Sequence, residues 1–297
     1  MAEVYDRVDS LPDDLLARCR TMPLPTRLLM CPPEYFDVCD VKNPLMEGQI
    51  GKVDRSRARA QWEQVKRTFE ACGATVEEIE PEPGLEDMVF CANQTLPGLD
   101  ADGRRLCLLS RMKHESRRRE VPAFARWFER DGYRVELLRT GCVFEGSGDA
   151  IWHPGRGLIW GGHGFRTEPQ AYEEISERFG VPVLRLRLTS DRFYHLDTAF
   201  CPLDEHTVLY DPPALAPEGR ALIERVFERV IECPHEDAVE RLACNATPIG
   251  GRHVVIHKGS EQTVRLLREA GYEVHEVDTG EFLKSGGSVF CMKMYIF

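Results

Sequence analysis

Residues 59–81, RAQWEQVKRTFEACGATVEEIEP, join an amphipathic helix to a β-rich run through a single glycine, and this pattern organises the whole chain. One face of the predicted helix is apolar at helical spacing and consists of Trp62, Val65, Phe69 and Cys72. Gly73 is expected to end the helix, because glycine readily adopts the left-handed conformation that closes a helix. After a loop, residues 87–93, DMVFCAN, are predicted to form a second short strand.

The same order of helix, turn, strand, loop and second strand recurs four more times. The four later copies span residues 122–152, 169–201, 218–256 and 261–296. Five units of irregular length predict an α/β protein in which five blades surround a pseudo-five-fold axis. The alternative is an ordinary α/β sandwich that merely alternates helices and strands. No linker or low-complexity segment divides the chain, so we expect one domain over residues 1–297.

Each predicted second strand carries one polar residue at a comparable place. These residues are Asn93, Glu145, His195, Asn245 and Cys291. If five strands surround one axis, these side chains converge on it, whereas strands laid out in a row do not bring them together so readily. The pattern therefore favours the propeller and predicts a polar centre.

The formal net charge of −11 disfavours nucleic acid as a partner and suits a cationic small molecule. There is no apolar run of 18 residues, so no membrane span is expected. The start, MAEVYDRVDSLPDDLL, lacks the basic-then-apolar pattern of a signal peptide, and we expect a cytoplasmic protein. The sequence leaves the oligomeric state open, a homo-oligomer included.

Eleven scattered cysteines, never spaced as C-x-x-C, disfavour both a disulfide framework and a zinc site. His253 and His257 of HVVIH would share one face of a strand, but two histidines make a weak metal site. Neither a metal nor a cofactor is therefore expected.

Two motifs carry groups suited to proton transfer and to binding a cation. In FYHLDT, residues 193–198, alternation along a strand would point His195 and Asp197 to the same side. In FEGSGDA, residues 144–150, Glu145 and Asp149 flank glycines that allow close approach. A polar strand edge and an acidic turn are the respective alternatives.

Cys291 follows a Gly-Gly pair in the fifth unit. A cysteine among eleven is more often a packing residue, and a thiol needs a base or a lowered pKa to act as a nucleophile. Cysteine, histidine and glutamate on separate units nevertheless fit the nucleophile, base and orienting roles, which depend on geometry and not on chain order.

Seven motifs in order give a resemblance to a known family. They are MCPPEYFDVCDVKNPLM (30–46), DMVFCAN (87–93), HESRRRE (114–120), FEGSGDA (144–150), GHGFRT (162–167), FYHLDT (193–198) and GGSVFC (286–291). Together they resemble the guanidine-modifying superfamily of arginine deiminases, dimethylarginine dimethylaminohydrolases, arginine dihydrolases and amidinotransferases. The resemblance implies a five-bladed α/β-propeller, or pentein, with its active site in the central channel.

The resemblance also implies residue roles. Cys291 corresponds to the nucleophile, His195 to the general acid and base, and Glu145 to the carboxylate partner of that histidine. Asp197 corresponds to a guanidinium-binding residue. Arg117 is the candidate for the substrate carboxylate, and Arg166 has the same role or a structural one.

The choice of reaction rests on two amides. Asn93 stands where deiminases and dimethylargininases end the corresponding strand in aspartate, and Asn43 begins the Asn-Pro pair that resembles arginine dihydrolases. A neutral amide tolerates an uncharged ureido group better than a carboxylate does. We therefore predict a guanidine C–N hydrolase of the arginine dihydrolase type.

Several alternatives stay open. The chain could hydrolyse methylated arginine, deiminate arginine, transfer an amidino group, or bind arginine as a non-catalytic sensor. Asp149 is predicted to be near the substrate, without a decision between contact and loop shaping.

Overall fold

The structure is a computed structural model that describes residues 2–297. Its sixteen strands within that range are β1 (Val4–Tyr5), β2 (Arg27–Met30), β3 (Thr75–Glu78), β4 (Thr95–Leu99), β5 (Arg105–Leu109), β6 (Arg134–Leu137), β7 (Ala150–Trp152), β8 (Ile159–His163), β9 (Val183–Arg187), β10 (Phe200–Pro202), β11 (Thr207–Tyr210), β12 (Arg229–Glu232), β13 (Thr247–Ile249), β14 (His253–His257), β15 (Glu273–Val277) and β16 (Met294–Ile296). The ten α-helices of the same range are α1 (Leu15–Arg18), α2 (Arg55–Ala71), α3 (Glu115–Arg118), α4 (Val121–Arg130), α5 (Gly146–Asp149), α6 (Ala171–Phe179), α7 (Pro217–Val226), α8 (His235–Arg241), α9 (Glu261–Glu269) and α10 (Gly280–Leu283).

The strands of residues 2–297 form five small sheets in a mixed α/β fold. The sheet orders are β16-β2-β3, β4-β5-β6, β1-β9-β8-β7, β10-β11-β12 and β13-β14-β15. In every sheet one antiparallel pair is joined to a parallel pair whose strands are connected through a helix, and β1 adds a second parallel pair in the sheet that contains β7, β8 and β9. Parallel neighbours require such a crossover, which is why the helix recurs once in each sheet.

The sequence-based unit was incomplete in one respect. It assigned two strands to each unit, whereas every sheet contains at least three. The strands it passed over or merged with a neighbour are short apolar runs such as RLLM (27–30), RLCLL (105–109) and TVLY (207–210). Periodicity cannot distinguish a run of four or five apolar residues from a buried helical segment or loop.

The predicted helix ends are confirmed. Helix α2 ends at Ala71, and Gly73 follows with a φ of +93°. Helix α6 ends at Phe179 and is capped by Gly180 in the left-handed conformation, with a φ of +64°. Most other residues would be strained at these two positions.

The apolar helix faces are buried against the sheets. Trp62, Val65 and Phe69 of α2 are almost fully buried, and they share a cluster with Val255 of β14 and Val277 of β15. Burying a side chain of this size contributes roughly 1.5–3 kcal/mol relative to leaving it exposed. The helix of one sheet thus also packs against the next sheet.

The five polar residues do not lie on strands, so that part of the prediction was wrong. Each lies in a turn that precedes the antiparallel strand, for example Asn93 two residues before β4 and Cys291 three residues before β16. His195 and Asp197 likewise flank Leu196 in a 3₁₀ turn and not in an extended strand. In a turn, fewer backbone N–H and C=O groups have backbone hydrogen-bond partners than in a strand. The unpaired groups of these turns can therefore bond to buried side chains.

Within residues 2–297, no helix is both long enough and apolar enough to cross a membrane.

Candidate active site

The Cys291 thiol is held by an asparagine and an aspartate from other turns. Asn245 Oδ1 accepts hydrogen bonds from the backbone N–H groups of Ser288 and Cys291, at 3.1 and 3.2 Å. Its Nδ2 lies 3.2 Å from Cys291 Sγ, and Asp197 Oδ2 lies 3.2 Å from the same sulfur. The amide of Asn245 therefore fixes both the turn and the thiol that the turn carries.

The buried surroundings keep this thiol protonated when the site is empty. Burial raises the pKa of Cys291 well above its ordinary value, and the neighbouring Asp197 carboxylate raises it further. A cation bound beside Asp197 would reverse the second effect. The geometry thus links formation of the thiolate to the arrival of a positively charged ligand.

Asp197 has one oxygen free for such a ligand. Its Oδ1 is buried and has no hydrogen-bond partner among the described residues, whereas Oδ2 contacts Cys291. Burial raises the pKa of Asp197 to about 6. A buried carboxylate oxygen without a donor is costly, and a guanidinium N–H would satisfy it.

His195 is oriented by a buried ion pair. Its Nε2 lies 2.6 Å from Glu145 Oε2, which also binds Arg166 Nη1 at 2.8 Å. Burial opposes ionisation of Glu145, but Arg166 and His195 outweigh it, so the pKa of Glu145 falls well below its ordinary value. Ionised Glu145 accepts a hydrogen bond from Nε2–H of His195, which leaves Nδ1 as the basic nitrogen.

Asn93 faces that basic nitrogen. Its Oδ1 accepts hydrogen bonds from both Arg117 Nη atoms at 3.3 Å, and Arg117 is itself held by Glu120 at 2.9 Å. The amide is thereby turned so that Nδ2 lies 3.4 Å from His195 Nδ1. A Cβ atom on Gly148 would clash with Asn93 Nδ2, so a larger residue there would displace this amide.

A small cavity opens on Cys291 and Asn93. Its polar lining consists of Lys42, Asn43, Asp87, Asn93, Arg117, Arg166, Tyr194, Ser285 and Cys291. Three cationic side chains face one carboxylate in this lining, and Asp197 lies beside the sulfur. The arrangement suits a ligand with a carboxylate at one end and a cationic group at the other.

Asp87 and Lys42 were not singled out from the sequence. Both are almost fully buried, and Lys42 Nζ lies 3.1 Å from Asp87 Oδ2. Asp87 stands directly before the apolar run MVFC, and this position of a carboxylate was the signal in the sequence that could have drawn attention to it. Lys42 also contacts Asp40 and Glu86.

Asn43 lines the cavity but is engaged with the backbone. Its Oδ1 accepts from Leu45 N–H and its Nδ2 donates to the Ser285 carbonyl, each at 3.0 Å. Tyr194 donates its hydroxyl hydrogen to the Gly286 carbonyl at 2.8 Å. Asn43 thus ties its own segment to the turn that leads to Cys291.

Asp149 is placed differently from the other predicted substrate residues. Its Oδ1 accepts the Leu196 N–H at 3.0 Å, and its Oδ2 accepts the Thr167 N–H at 3.3 Å. Both oxygens therefore hold backbone beside His195 and Asp197. This arrangement favours loop shaping, and contact of Asp149 with a substrate stays a prediction.

Lys293 is a second residue that the sequence did not reveal. Its Nζ lies 3.1 Å from the Phe290 ring centroid and 3.7 Å from that of Tyr295, and the residue is 1% exposed. Burial lowers the pKa of Lys293 to about 7, although Asp197 and Cys291 partly oppose this. With this pKa, Lys293 gains or loses its positive charge near pH 7, and the Cys291 thiol experiences that change.

Replacement of Lys293 by methionine should stabilise the protein most at low pH. The folded-state pKa lies below the ordinary 10.5, so the unfolded chain binds more protons between pH 7 and 10.5, and wild-type stability rises with pH. The variant should exceed the wild type by on the order of 4 kcal/mol at pH 6 and by much less at pH 10. Urea unfolding at both pH values measures this difference.

The exposed Lys52 offers a matched control, because Lys52→Met should change stability little at either pH. An equal advantage of Lys293→Met at pH 6 and pH 10 would contradict a lowered lysine pKa.

The comparisons with known proteins define the class. The sequence model of the family described as "N,N dimethylarginine dimethylhydrolase, eukaryotic" matches residues 40–297. The chain belongs to this dimethylarginine dimethylaminohydrolase family, and the predicted place in the guanidine-modifying superfamily is confirmed.

Two proteins of known activity are similar to this chain over most of its length. The chain is 39% identical over 272 residues, 91% of its length, to "Bifunctional arginine dihydrolase/ornithine cyclodeaminase ArgZ" of Synechocystis sp., and it spans 37% of that protein. It is also 37% identical to the N(G),N(G)-dimethylarginine dimethylaminohydrolase of Mycobacterium tuberculosis. That match covers 93% of this chain and 88% of the relative.

Solved structures of the cyanobacterial ArgZ N-terminal domain, an arginine dihydrolase, match the fold. A cysteine-to-serine variant bound to substrate has a TM-score of 0.85 and 38% identity, covering 91% of this chain and 97% of that chain. An asparagine-to-serine variant covalently bound to a reaction intermediate matches with the same values.

Proposed function

We propose that this chain hydrolyses L-arginine twice, to ornithine, carbon dioxide and two molecules of ammonia. The single observation that carries the proposal is the Asn93 amide, held by Arg117 and aimed at His195 Nδ1 in place of a carboxylate. The likeness to ArgZ, whose N-terminal domain is an arginine dihydrolase, supports it. The proposal concerns only the part of ArgZ that this chain spans.

The first step forms a covalent adduct. Arginine binds with its guanidinium against Asp197 Oδ1, the added positive charge favours the Cys291 thiolate, and the thiol proton passes to His195. The sulfur attacks the guanidinium carbon, and the C–N bond to a terminal nitrogen breaks. Imidazolium His195 transfers its proton to the departing nitrogen, which leaves as ammonia, and a thiouronium remains on Cys291.

Water completes each half of the reaction. His195 Nδ1 accepts a proton from water as the oxygen attacks the thiouronium carbon, and loss of the sulfur gives bound citrulline. The neutral ureido group is then attacked by Cys291 in its turn. A second ammonia leaves with the proton of His195, and a thiocarbamate remains on Cys291. A second water displaces the sulfur, and the resulting carbamate breaks its C–N bond to give carbon dioxide and ornithine. The covalent intermediate found with an ArgZ variant supports a route through an adduct.

Asn93 assists the second hydrolysis, in which citrulline is the substrate. Its N–H can donate to the ureido oxygen or to His195, whereas a carboxylate can only accept. With a neutral group in place of a second carboxylate beside His195, the site retains less preference for a cation over citrulline. Citrulline is therefore held long enough to react again.

The remaining assignments belong to the same proposal. Arg117 and Arg166 line the cavity with Lys42, and their charges suit the α-carboxylate of the substrate. Five sheets, with β16 paired to β2, support a single domain over residues 1–297 built as a five-bladed propeller around this site. Eleven cysteines without a disulfide among the described residues support a reducing compartment such as the cytoplasm.

Product analysis tests the proposal. The purified protein is incubated with L-arginine, and the products are identified by mass spectrometry together with the ammonia released. Ornithine with two equivalents of ammonia is expected, with citrulline only transient. Citrulline that accumulates with one equivalent of ammonia would overturn the dihydrolase assignment.

Hydrolysis of methylated arginine is the second candidate. The family match over residues 40–297 and the M. tuberculosis relative, which this chain covers almost end to end, favour it specifically. Nω,Nω-dimethylarginine would then give citrulline and dimethylamine. The ratio of kcat/KM for the methylated and the plain substrate decides between the two functions.

An amidine reagent should single out Cys291. At pH 7, 2-chloroacetamidine is a cation that pairs with Asp197 and favours the thiolate, so it should label Cys291 at least about tenfold faster than the exposed Cys39. Neutral iodoacetamide should prefer Cys39. Peptide mass spectrometry after short exposures measures both rates, and L-arginine should protect Cys291 alone. If both reagents labelled Cys291 and Cys39 with the same ratio of rates, the proposed role of Asp197 would be contradicted.

A further inference from the structure

A second group of chemically active side chains lies outside the cavity just described. Cys72 directly follows the last residue of α2, where the helix reaches the sheet β13-β14-β15. In that sheet His253 is paired with Glu273, and His275 is two residues further along β15. Residues 253, 273 and 275 share one face of the sheet, since residues two apart in a strand point the same way.

The potential ligand atoms converge closely. His253 Nδ1 lies 3.1 Å from His275 Nε2 and 3.2 Å from Glu273 Oε2. The ligand atoms of Cys72, His253 and His275 all lie within 4.8 Å of one another. A tetrahedral zinc ion, about 2.0–2.1 Å from each imidazole nitrogen, holds two such nitrogens about 3.3 Å apart.

We propose that Cys72, His253 and His275 bind one zinc ion, with its fourth position open to water. A thiolate and two imidazoles are ligands that zinc accepts, and water commonly fills the remaining position. A hydrogen bond between the two imidazoles would account for their separation but not for the thiol within 4.8 Å of both. Glu273 contacts His253 and Arg252, so its carboxylate lies next to this group and adds negative charge there.

The histidine that contacts His253 is His275 and not His257, which the HVVIH motif had suggested. His257, four residues along HVVIH, accepts hydrogen bonds from the N–H and hydroxyl of Thr279, at 3.1 and 2.8 Å. His275, on the neighbouring parallel strand, takes its place. Strand pairing and not spacing along one strand therefore brings the histidines together, which sequence alone does not reveal.

The ion would join two sheets. Helix α2 connects β2 and β3, whereas His253, Glu273 and His275 belong to β14 and β15. Cys72 is 8% exposed and the His253 side chain 22% exposed, so the group is partly covered and reachable from solvent. Metal binding to the folded chain alone stabilises it by mass action.

Zinc binding is tested in a Cys291→Ser background, so that the active-site thiol cannot act as a ligand. The protein is stripped with a chelator, and zinc is titrated against a chromophoric competitor. One ion per chain is expected, with a rise in Tm. Cobalt should give the visible d–d bands of a tetrahedral site and a thiolate charge-transfer band.

Variants of the group decide the assignment. Cys72→Ser and His275→Ala should each weaken zinc binding at least about 100-fold, because even partners of metal ligands alter affinity 10- to 100-fold. Cys72→Ser should also remove the cobalt charge-transfer band. Glu273→Gln, at a partly exposed position, is expected to fold normally and to weaken binding less.

Exposed residues provide controls. Cys39→Ser and His206→Ala should retain the parent affinity and stoichiometry. Absence of stoichiometric zinc binding, or equal binding by the Cys72→Ser and Cys39→Ser variants, would overturn the proposal. These measurements do not use arginine turnover, so they are independent of the proposed reaction.

Discussion

Replacement of Cys291 by serine should lower kcat/KM for L-arginine by at least about 10⁴-fold, because nothing else in the site can form the covalent adduct. A serine hydroxyl beside the Asp197 carboxylate is too weakly acidic to ionise, even with a guanidinium bound. Ammonia release under saturating arginine measures the loss. Binding should persist, since the proposed partner of the guanidinium is Asp197 and not the sulfur, and arginine should still raise the Tm of the variant.

Cys39→Ser is the matched control, because Cys39 is exposed and lies outside the cavity. That variant should retain full activity. Turnover by Cys291→Ser at the wild-type rate would refute the covalent mechanism. Arginine-dependent stabilisation of the wild type without any ammonia release would instead identify a binding protein.

Replacement of Asn93 by aspartate should convert a two-step hydrolase into one that stops at citrulline. The new carboxylate would pair with Arg117 and remain beside His195 Nδ1, where it cannot donate a hydrogen bond. It would attract a guanidinium and disfavour the neutral ureido group. We expect the ratio of ornithine to citrulline to fall at least about tenfold, which corresponds to 1.4 kcal/mol of lost discrimination.

Products are quantified by mass spectrometry at matched turnover of arginine. Gln262→Glu makes the same change of amide to acid on the exposed face of α9 and should leave the product ratio unaltered. Unchanged ornithine formation by Asn93→Asp would remove the basis for assigning the second hydrolysis to Asn93.

The helices and their ends could be predicted because their cause is local. The apolar face of α2 and the glycine at position 73 are visible in a window of fifteen residues. The third strand of each sheet could not be predicted, because runs such as RLLM are defined by their partners and not by their own pattern. The pairing of β2 with β16 depends on a segment far away in the sequence, which no local window contains.

The candidate site was predictable to a similar extent. Motifs drew attention to Cys291, His195 and Glu145, and the structure brings Glu145 to His195 and Asp197 to Cys291. Sequence placed these residues on strands, whereas turns carry them. Asp87, Lys42 and Lys293 were not predicted, because the burial of a charged residue depends on distant segments of the folded chain and not on its own sequence neighbours.

The pairing of β16 with β2 sets an order of assembly. Residues 294–296 form their antiparallel contacts with residues 27–29, so this sheet cannot be completed until the whole segment between the two strands has been synthesised. Such distant contacts slow folding, because a long loop must close before they form. The turn that carries Cys291 lies just before β16 and is held by Asn245, whose own turn emerges late as well. A nascent chain therefore holds the proposed arginine-binding groups before it holds a competent nucleophile, and we expect its reactivity to begin only when β16 pairs with β2.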